Sequence, residues 1–186
     1  MNRYFKNSDE KIDKIGNFEI PVEWWSRGYE YKFAMDFLKS KDTILDVGCG
    51  IEHPFKDYAV NKVKKVVAID KDERITELKN KKIEYVHDDI LTYKTEQKFD
   101  KIFVISTIEH TQTHIVHKLK NMRDLLEDKG RIIFTVDFPT LRPQKLMEYA
   151  LKAKLKIDGD ADYDNKEDII HSKRYNLNCY SMVLKK

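Results

Sequence analysis

The residues of this chain best suited to chemistry stand at the ends of its apolar runs. Ile44-Leu45-Asp46-Val47 ends in an acid and leads into Gly48-Cys49-Gly50. Only six glycines occur in 186 residues, and two of them fall in this turn. Glycine opens dihedrals closed to other residues and lets a ligand approach the main chain. A loop that cradles a pyrophosphate needs three glycines, as G-x-G-x-x-G. Here the third position is His53 and no glycine follows, which disfavours a pyrophosphate reader. Asp70 ends the run Val66-Val67-Ala68-Ile69, where a carboxylate can accept two hydroxyl protons at once. His87-Asp88-Asp89-Ile90 follows a weaker run, Ile83-Glu84-Tyr85-Val86. Glu109-His110 stands beyond Ile102-Phe103-Val104-Ile105 and is the natural candidate for a general base. The alternative is that Glu109 caps a helix start, where the macrodipole favours an acid. His110, His114 and His117 invite a metal reading. At ~100° per residue they fall roughly 130–180° from the stripe Ile115, Leu119, Met122 and Leu126, so they read as a solvated face and no metal is expected.

These side chains need elements to hold them. Thr43 to Val47, Val66 to Asp70, Ile83 to Val86, Ile102 to Ile105 and Ile132 to Val136 are short, rich in Ile and Val, and mostly apolar on both faces. That is the mark of parallel strands buried on both sides. Helices are expected between them. Arg27 to Lys39 places Tyr31, Met35 and Leu38 on one face, and Asp72 to Asn80 has Asp72 as N-cap. Thr113 to Asp128 is closed by Lys129-Gly130 as a glycine stop, and Pro143 to Lys154 has proline in its first turn. Asn178 to Leu184 reads as a last strand. The repeated strand–helix order predicts an α/β fold with a doubly wound sheet, whose ligands bind at the carboxyl ends of the strands. Residues 1–20 are polar and expected to be loosely held. Residues 156–174 read as a loop or short edge strand.

Asp46-Val47-Gly48-Cys49-Gly50 resembles the first motif of class I S-adenosylmethionine-dependent methyltransferases, of the small-molecule kind near types 11 and 12. Glu52 stands where that family often has a third glycine. Asp70, Asp89-Ile90, the stretch Phe99 to His110 and Leu125 to Ile133 match in order, so the resemblance runs from Tyr29 to the end of the chain. It implies a Rossmann-like, seven-stranded sheet of order 3-2-1-4-5-7-6, mostly parallel with an antiparallel last strand. It implies S-adenosylmethionine as cofactor and S-adenosylhomocysteine as product. Asp46, Gly48, Cys49 and Gly50 would cradle the cofactor, with Asp70 on the ribose hydroxyls and Lys71 beside it. Asp89 would meet the adenine amino group, with Ile90 covering the ring. Ser106 would hold the amino acid end, with Arg27 and Tyr29 helping from the N-terminal segment, Arg27 by its planar fork. Trp24, Trp25 and Phe138 would line the acceptor pocket, although both tryptophans could equally staple the first helix to the sheet. Glu109 and His110 would be the catalytic pair. Some RNA-end methyltransferases of this class bind a metal through a Glu-His pair here, but they want a second Glu where this chain has Ser106.

The reaction implied is an in-line methyl displacement that gains most from alignment of its reactants. Ile105-Ser106-Thr107-Ile108 does not resemble the Asn/Asp-Pro-Pro-aromatic turn of nucleobase methyltransferases. Thirty-five basic against 32 acidic residues leave a net charge of only +3, short of the clustered excess a nucleic acid binder carries. A small-molecule acceptor, with a hydroxyl as the group methylated, is the expectation. The alternatives are a non-catalytic cofactor-binding protein and an NAD(P)-dependent oxidoreductase or epimerase. Two cysteines, Cys49 and Cys179, make no disulfide framework and fit a reducing compartment. The first residues do not read as a signal peptide, and apolar runs of about four are far from the ~20 of a membrane span. The expectation is one cytoplasmic domain over 1–186, with 1–28 a cap on the core 29–186. It is expected to be a monomer or homodimer with neither nucleic acid nor membrane as partner.

Overall fold

The computed structural model describes residues 2–111, 113–164 and 167–186. Five apolar runs form parallel strands: β2 (Thr43–Val47), β3 (Lys65–Asp70), β4 (Ile83–His87), β5 (Phe99–Ile105) and β6 (Leu126–Phe138). They are joined by β1 (Arg3–Tyr4) and β7 (Leu177–Lys185) in the order β1-β7-β6-β5-β2-β3-β4. β7 runs antiparallel to β6, and β1 antiparallel to β7. The two-residue strands Lys156–Ile157 and His171–Ser172 also pair with β7. Expected strands 3-2-1-4-5-7 therefore stand in their expected order. The place expected for a sixth strand outside the last one is instead held by β1, because the described residues of 156–174 give β7 those two short pairs and otherwise make isolated bridges, Ala161 to Asn2 and Ile169 to Lys6.

Both faces of the parallel strands are covered, as their sequence demanded. Leu45, Val67, Ile102 and Phe134 point to α3 (Ile115–Leu125) and α4 (Pro143–Lys152). Ile44, Val66, Phe103 and Ile133 point to α1 (Arg27–Met35) and α2 (Phe55–Ala59). This is the one-residue alternation of strand side chains. Among the described residues no helix is long and apolar enough to cross a membrane.

Three local expectations are corrected. The expectation that residues 1–20 are loosely held is corrected for the described ones among them: Tyr4 is 2% exposed and packs edge-on against Tyr180 at 5.0 Å. Asn2 donates to the carbonyls of Asp158 and Asp160, so its polar side chain anchors the segment. The helix expected over Asp72 to Asn80 is a single 3₁₀ turn, Glu73–Glu77, in which only Ile75 is buried; Asp72 does cap it, accepting from Arg74 N. Gly130 stops no helix. α3 ends at Leu125 and β6 begins at once; Gly130 lies in a bulge between the pairs Phe99–Leu126 and Lys101–Arg131. A Cβ there would sit 3.0 Å from the Phe99 carbonyl oxygen, so close backbone approach explains the glycine.

Candidate active site

β2, β3, β4 and β5 end side by side, and a cleft of about 320 Å³ opens over their carboxyl ends. Gly48 and Gly50 take φ of +67° and +63°, which side-chain-bearing residues rarely adopt. A Cβ on Gly48 would lie 2.1 Å from Thr107 Cγ2, and one on Gly50 2.3 Å from His53 Cδ2. The two glycines thus let Thr107 and His53 press directly on the turn.

Asp70 ties the turn to β3. Its Oδ2 accepts from Gly50 N at 2.8 Å and its Oδ1 from Asp72 N at 3.0 Å. That uses two of about four lone-pair positions and leaves acceptor capacity toward the cleft. Asp89 Oδ1 accepts from Leu91 N at 2.9 Å, and its Oδ2 lies 3.3 Å from Lys71 Nζ. Burial pushes its carboxyl up, but the Leu91 N–H with Lys118 and Lys71 outweighs that and holds it below the ordinary range. Asp88 is the turn-forming member of the pair, accepting from Asp89 N and Thr92 Oγ1, both at 2.7 Å.

A smaller recess of about 50 Å³ lies behind the turn, bounded by Arg27, Tyr31, Asp46, Cys49 and His53. Asp46 is buried, and its Oδ2 has no hydrogen-bond partner among the described residues. Burial pushes its carboxyl up to about 7, against the pull of Lys56. His53 Nδ1 is 3.1 Å from the Tyr31 hydroxyl. Burial, with Arg27 and Lys56, lowers the imidazole to about 4, so His53 is neutral at neutral pH. Burial also raises the Cys49 thiol, which is thus an inert part of the wall.

The floor is held by a residue that sequence reasoning missed. Glu30 is 0% exposed and accepts from Ser26, Arg27, Ser106 and Thr135. It ties α1 to β6 and to Ser106, whose φ is +40°. Nothing in the stretch Tyr29-Glu30-Tyr31 marks this acid as buried.

Of the residues expected at the site, Gly48, Gly50, Asp70, Lys71, Asp89, Ile90, Ser106 and His110 line the cleft, and Arg27, Asp46 and Cys49 the recess. The others lie elsewhere. Tyr29 is two residues, about 200°, around α1 from Arg27. It faces an outer groove with Arg3, Phe5 and Lys32. Trp25 packs on the cluster of Phe5, Ile170 and Cys179. Trp24 reaches the cleft only through His53, its ring 4.5 Å from the imidazole and stacked on Phe18. Phe138 packs against Tyr4 at 5.9 Å in a separate groove, since alternation along β6 turns it away from Asp137. Glu109 is 1% exposed and lines neither cavity. Its Oε1 accepts from Asp137 N at 3.0 Å, and burial pushes its carboxyl up to about 8. In the 3₁₀ turn Ile108–His110 successive side chains diverge by about 120°. One neighbour therefore points in and His110 points to the cleft. His53 had no sequence signal beyond its nearness to the glycine turn, and Thr107 none beyond its place after Ser106 at the end of β5. Among the described residues no group of three or more His, Cys, Asp or Glu is placed to hold a metal ion; His114 and His117 are exposed.

A family model described as a methyltransferase domain matches residues 25–172. Two curated proteins of Papaver somniferum are similar to the chain. (S)-coclaurine N-methyltransferase is 30% identical over 103 residues, 50% of this chain and 29% of that one. N-methyltransferase 4 is 26% identical over 144 residues, 72% of this chain and 38% of that one. The chain thus spans well under half the length of either relative. Among solved structures, a TehB-like SAM-dependent methyltransferase from Corynebacterium glutamicum superposes with a TM-score of 0.69 at 17% identity, covering 84% of this chain and 86% of that one. The 1,6-didemethyltoxoflavin-N1-methyltransferase of Burkholderia thailandensis, crystallised with 1,6-didemethyltoxoflavin and S-adenosylhomocysteine, gives 0.64 at 14% identity over 100% and 99%. At such identities the likeness is one of fold.

Proposed function

This chain belongs to the class I S-adenosylmethionine-dependent methyltransferase family, and from that premise we propose that it transfers a methyl group to a small-molecule acceptor. One observation carries the reading: the Gly48–Gly50 turn, Asp70 and Asp89 converge on a single cleft able to seat a nucleoside. In this reading the spare lone pairs of Asp70 accept the ribose hydroxyls. Asp89 accepts from the adenine amino group, with Ile90 against the ring. The recess takes the amino acid end, where the unpartnered Asp46 Oδ2 accepts from its ammonium group and Arg27 faces its carboxylate. When bound, S-adenosylmethionine supplies an electrophilic methyl group on sulfur.

The chain's own residues then orient and deprotonate. His110 is the titratable side chain beside Thr107 and Thr111 on the cleft wall, and it takes the acceptor's proton. Glu109, buried below, holds the turn through Asp137 N. The sequence pointed to a hydroxyl acceptor. The relatives named as N-methyltransferases support an amine nitrogen, whose lone pair needs little help from a base. The weak net charge of +3 supports a small acceptor over a nucleic acid.

Thermal shift tests the cofactor. S-adenosylhomocysteine at a hundred times its Kd adds about 2.7 kcal/mol, worth roughly 5–10 °C for a domain of this size. Stabilisation by NAD in its place would overturn the reading. Labelled methyl transfer to a panel of amines and alcohols then identifies the acceptor atom.

A further inference from the structure

The loop between the glycine turn and α2 closes around one buried cation. Lys56 is 1% exposed. Its Nζ donates to the carbonyl oxygens of Gly50 at 2.8 Å, Ile51 at 3.2 Å and His53 at 2.6 Å. An ammonium has three protons, so each finds one acceptor. Burying a cation is costly unless it is bonded in this way, so the arrangement is specific. Lys56 lines neither the cleft nor the recess, and can reach a ligand only through the loop it binds. The stretch it gathers runs through Glu52 and His53, where a third glycine is missing.

We propose that Lys56 is a positioning residue for the cofactor, its ammonium gathering three loop carbonyls so that Gly50 stays bonded to Asp70 and His53 stays pressed on the turn. Hydrogen bonds thereby do what backbone freedom does in a loop with three glycines. The inference rests on the S-adenosylmethionine reading above. Lys56 also acts by charge. Asp46 is faced by Lys56 and Asp57 of α2, by Asp70 at the end of β3, by Tyr31 of α1 and by Cys49 of the loop, and Arg27 of α1 and His53 of the loop line the same recess. Of these groups it is Lys56 that holds the Asp46 carboxyl down against burial. Removing its charge therefore moves Asp46 ionisation to higher pH, and with it the pH at which the cofactor's ammonium end is gripped.

The test is Lys56→Met, which keeps the apolar stem and removes the charge. Titration calorimetry with S-adenosylhomocysteine, repeated across the neutral pH range, should show binding about tenfold weaker at neutral pH, the loss of charge-assisted hydrogen bonds. The pH at which affinity rises should move upward. Lys56→Arg, which keeps the charge, should bring that pH back toward the wild-type value. Wild-type protein gives a reading that survives misfolding of either variant. A slowly exchanging ¹⁵N ammonium signal from Lys56 should shift when S-adenosylhomocysteine is added. Unchanged affinity and unchanged pH response in folded Lys56→Met, or an ammonium signal indifferent to the ligand, would overturn the proposal alone. Wild-type protein that binds no S-adenosylhomocysteine would overturn the cofactor reading as well.

Discussion

Glu30→Gln is the sharpest perturbation of this fold. The wild-type carboxylate accepts five bonds from four residues. Ser26 Oγ at 2.5 Å and Arg27 Nη1 at 2.8 Å reach Oε1. Arg27 Nη1 at 2.7 Å, Ser106 Oγ at 2.7 Å and Thr135 Oγ1 at 2.5 Å reach Oε2. Glutamine has the same shape but offers one acceptor oxygen and an NH₂ that meets other donors. It also leaves Arg27 a cation without its anion. Removing one member of a buried pair costs about 3–5 kcal/mol. Asp137 offsets part of this. Burial first, then Glu30, pushes its carboxyl up to about 7, so the loss of Glu30 lets it ionise beside Arg27. The net loss is then about 3 kcal/mol, which at ~2–4 °C per kcal/mol lowers Tm by ~6–12 °C. The pH dependence has a definite sign. Burial works against the Glu30 charge, but Arg27, Ser26, Thr135 and Ser106 hold the carboxyl below its ordinary range. Its contribution is present above the unfolded carboxylate pKa and is lost as pH falls through the lower folded one. The gap between wild type and variant should therefore be full at neutral pH and close in acid. Ser106 loses its anchor in the same substitution, so S-adenosylhomocysteine should bind more weakly. Circular dichroism melts and calorimetry read both effects, and Glu30→Gln/Arg27→Met should recover part of the stability. A single variant melting within about 2 °C of wild type at neutral pH would refute the reasoning.

Three further outcomes follow. Gly48→Ala should abolish measurable S-adenosylhomocysteine binding by calorimetry, because φ of +67° and a Cβ 2.1 Å from Thr107 force the turn to move; affinity within about twofold of wild type would show that the turn is tolerant. Asp70→Asn should weaken that binding about 10- to 100-fold, as expected for lost bonds to a charged acceptor; an unchanged Kd removes Asp70 from the site. Burial raises Glu109 to about 8 and Asp137 to about 7, so the folded chain holds protons that the unfolded chain releases above its ordinary carboxylate pKa. Stability should then fall as pH rises through that window toward 8, and Glu109→Gln should flatten the fall in a series of melts; an equal slope in both proteins contradicts the buried-acid picture.

What the sequence determined by itself is what short-range physics carries. Strands apolar on both faces must lie inside a parallel sheet, and an acid or glycine pair at a strand end must emerge at the carboxyl edge. Asp46, Gly48, Gly50, Asp70, Asp89 and Ser106 were legible for that reason. So were β7 and, on α3, the buried Ile115, Leu119 and Met122, while Leu126 of the expected stripe opens β6. What only the tertiary structure decided depends on partners far away in the chain. Glu30 is unreadable as the floor of the site until Ser106 and Thr135, 76 and 105 residues on, close around it. The N-terminal residues looked polar and loose, yet Asn2 Oδ1 accepts from Val183 N, 181 residues away, and β1 takes the sheet edge. Tyr29, Trp25 and Phe138 were placed at the site by the resemblance, but helical rotation turns Tyr29 away, strand alternation turns Phe138 away, and Trp25 packs on Phe5, Ile170 and Cys179. Glu109 looked like a base beside His110 until burial claimed it. Lys56 read as one lysine among many, because a carbonyl cage has no side-chain pattern: its acceptors are main-chain atoms, and only the folded loop brings three of them to one ammonium.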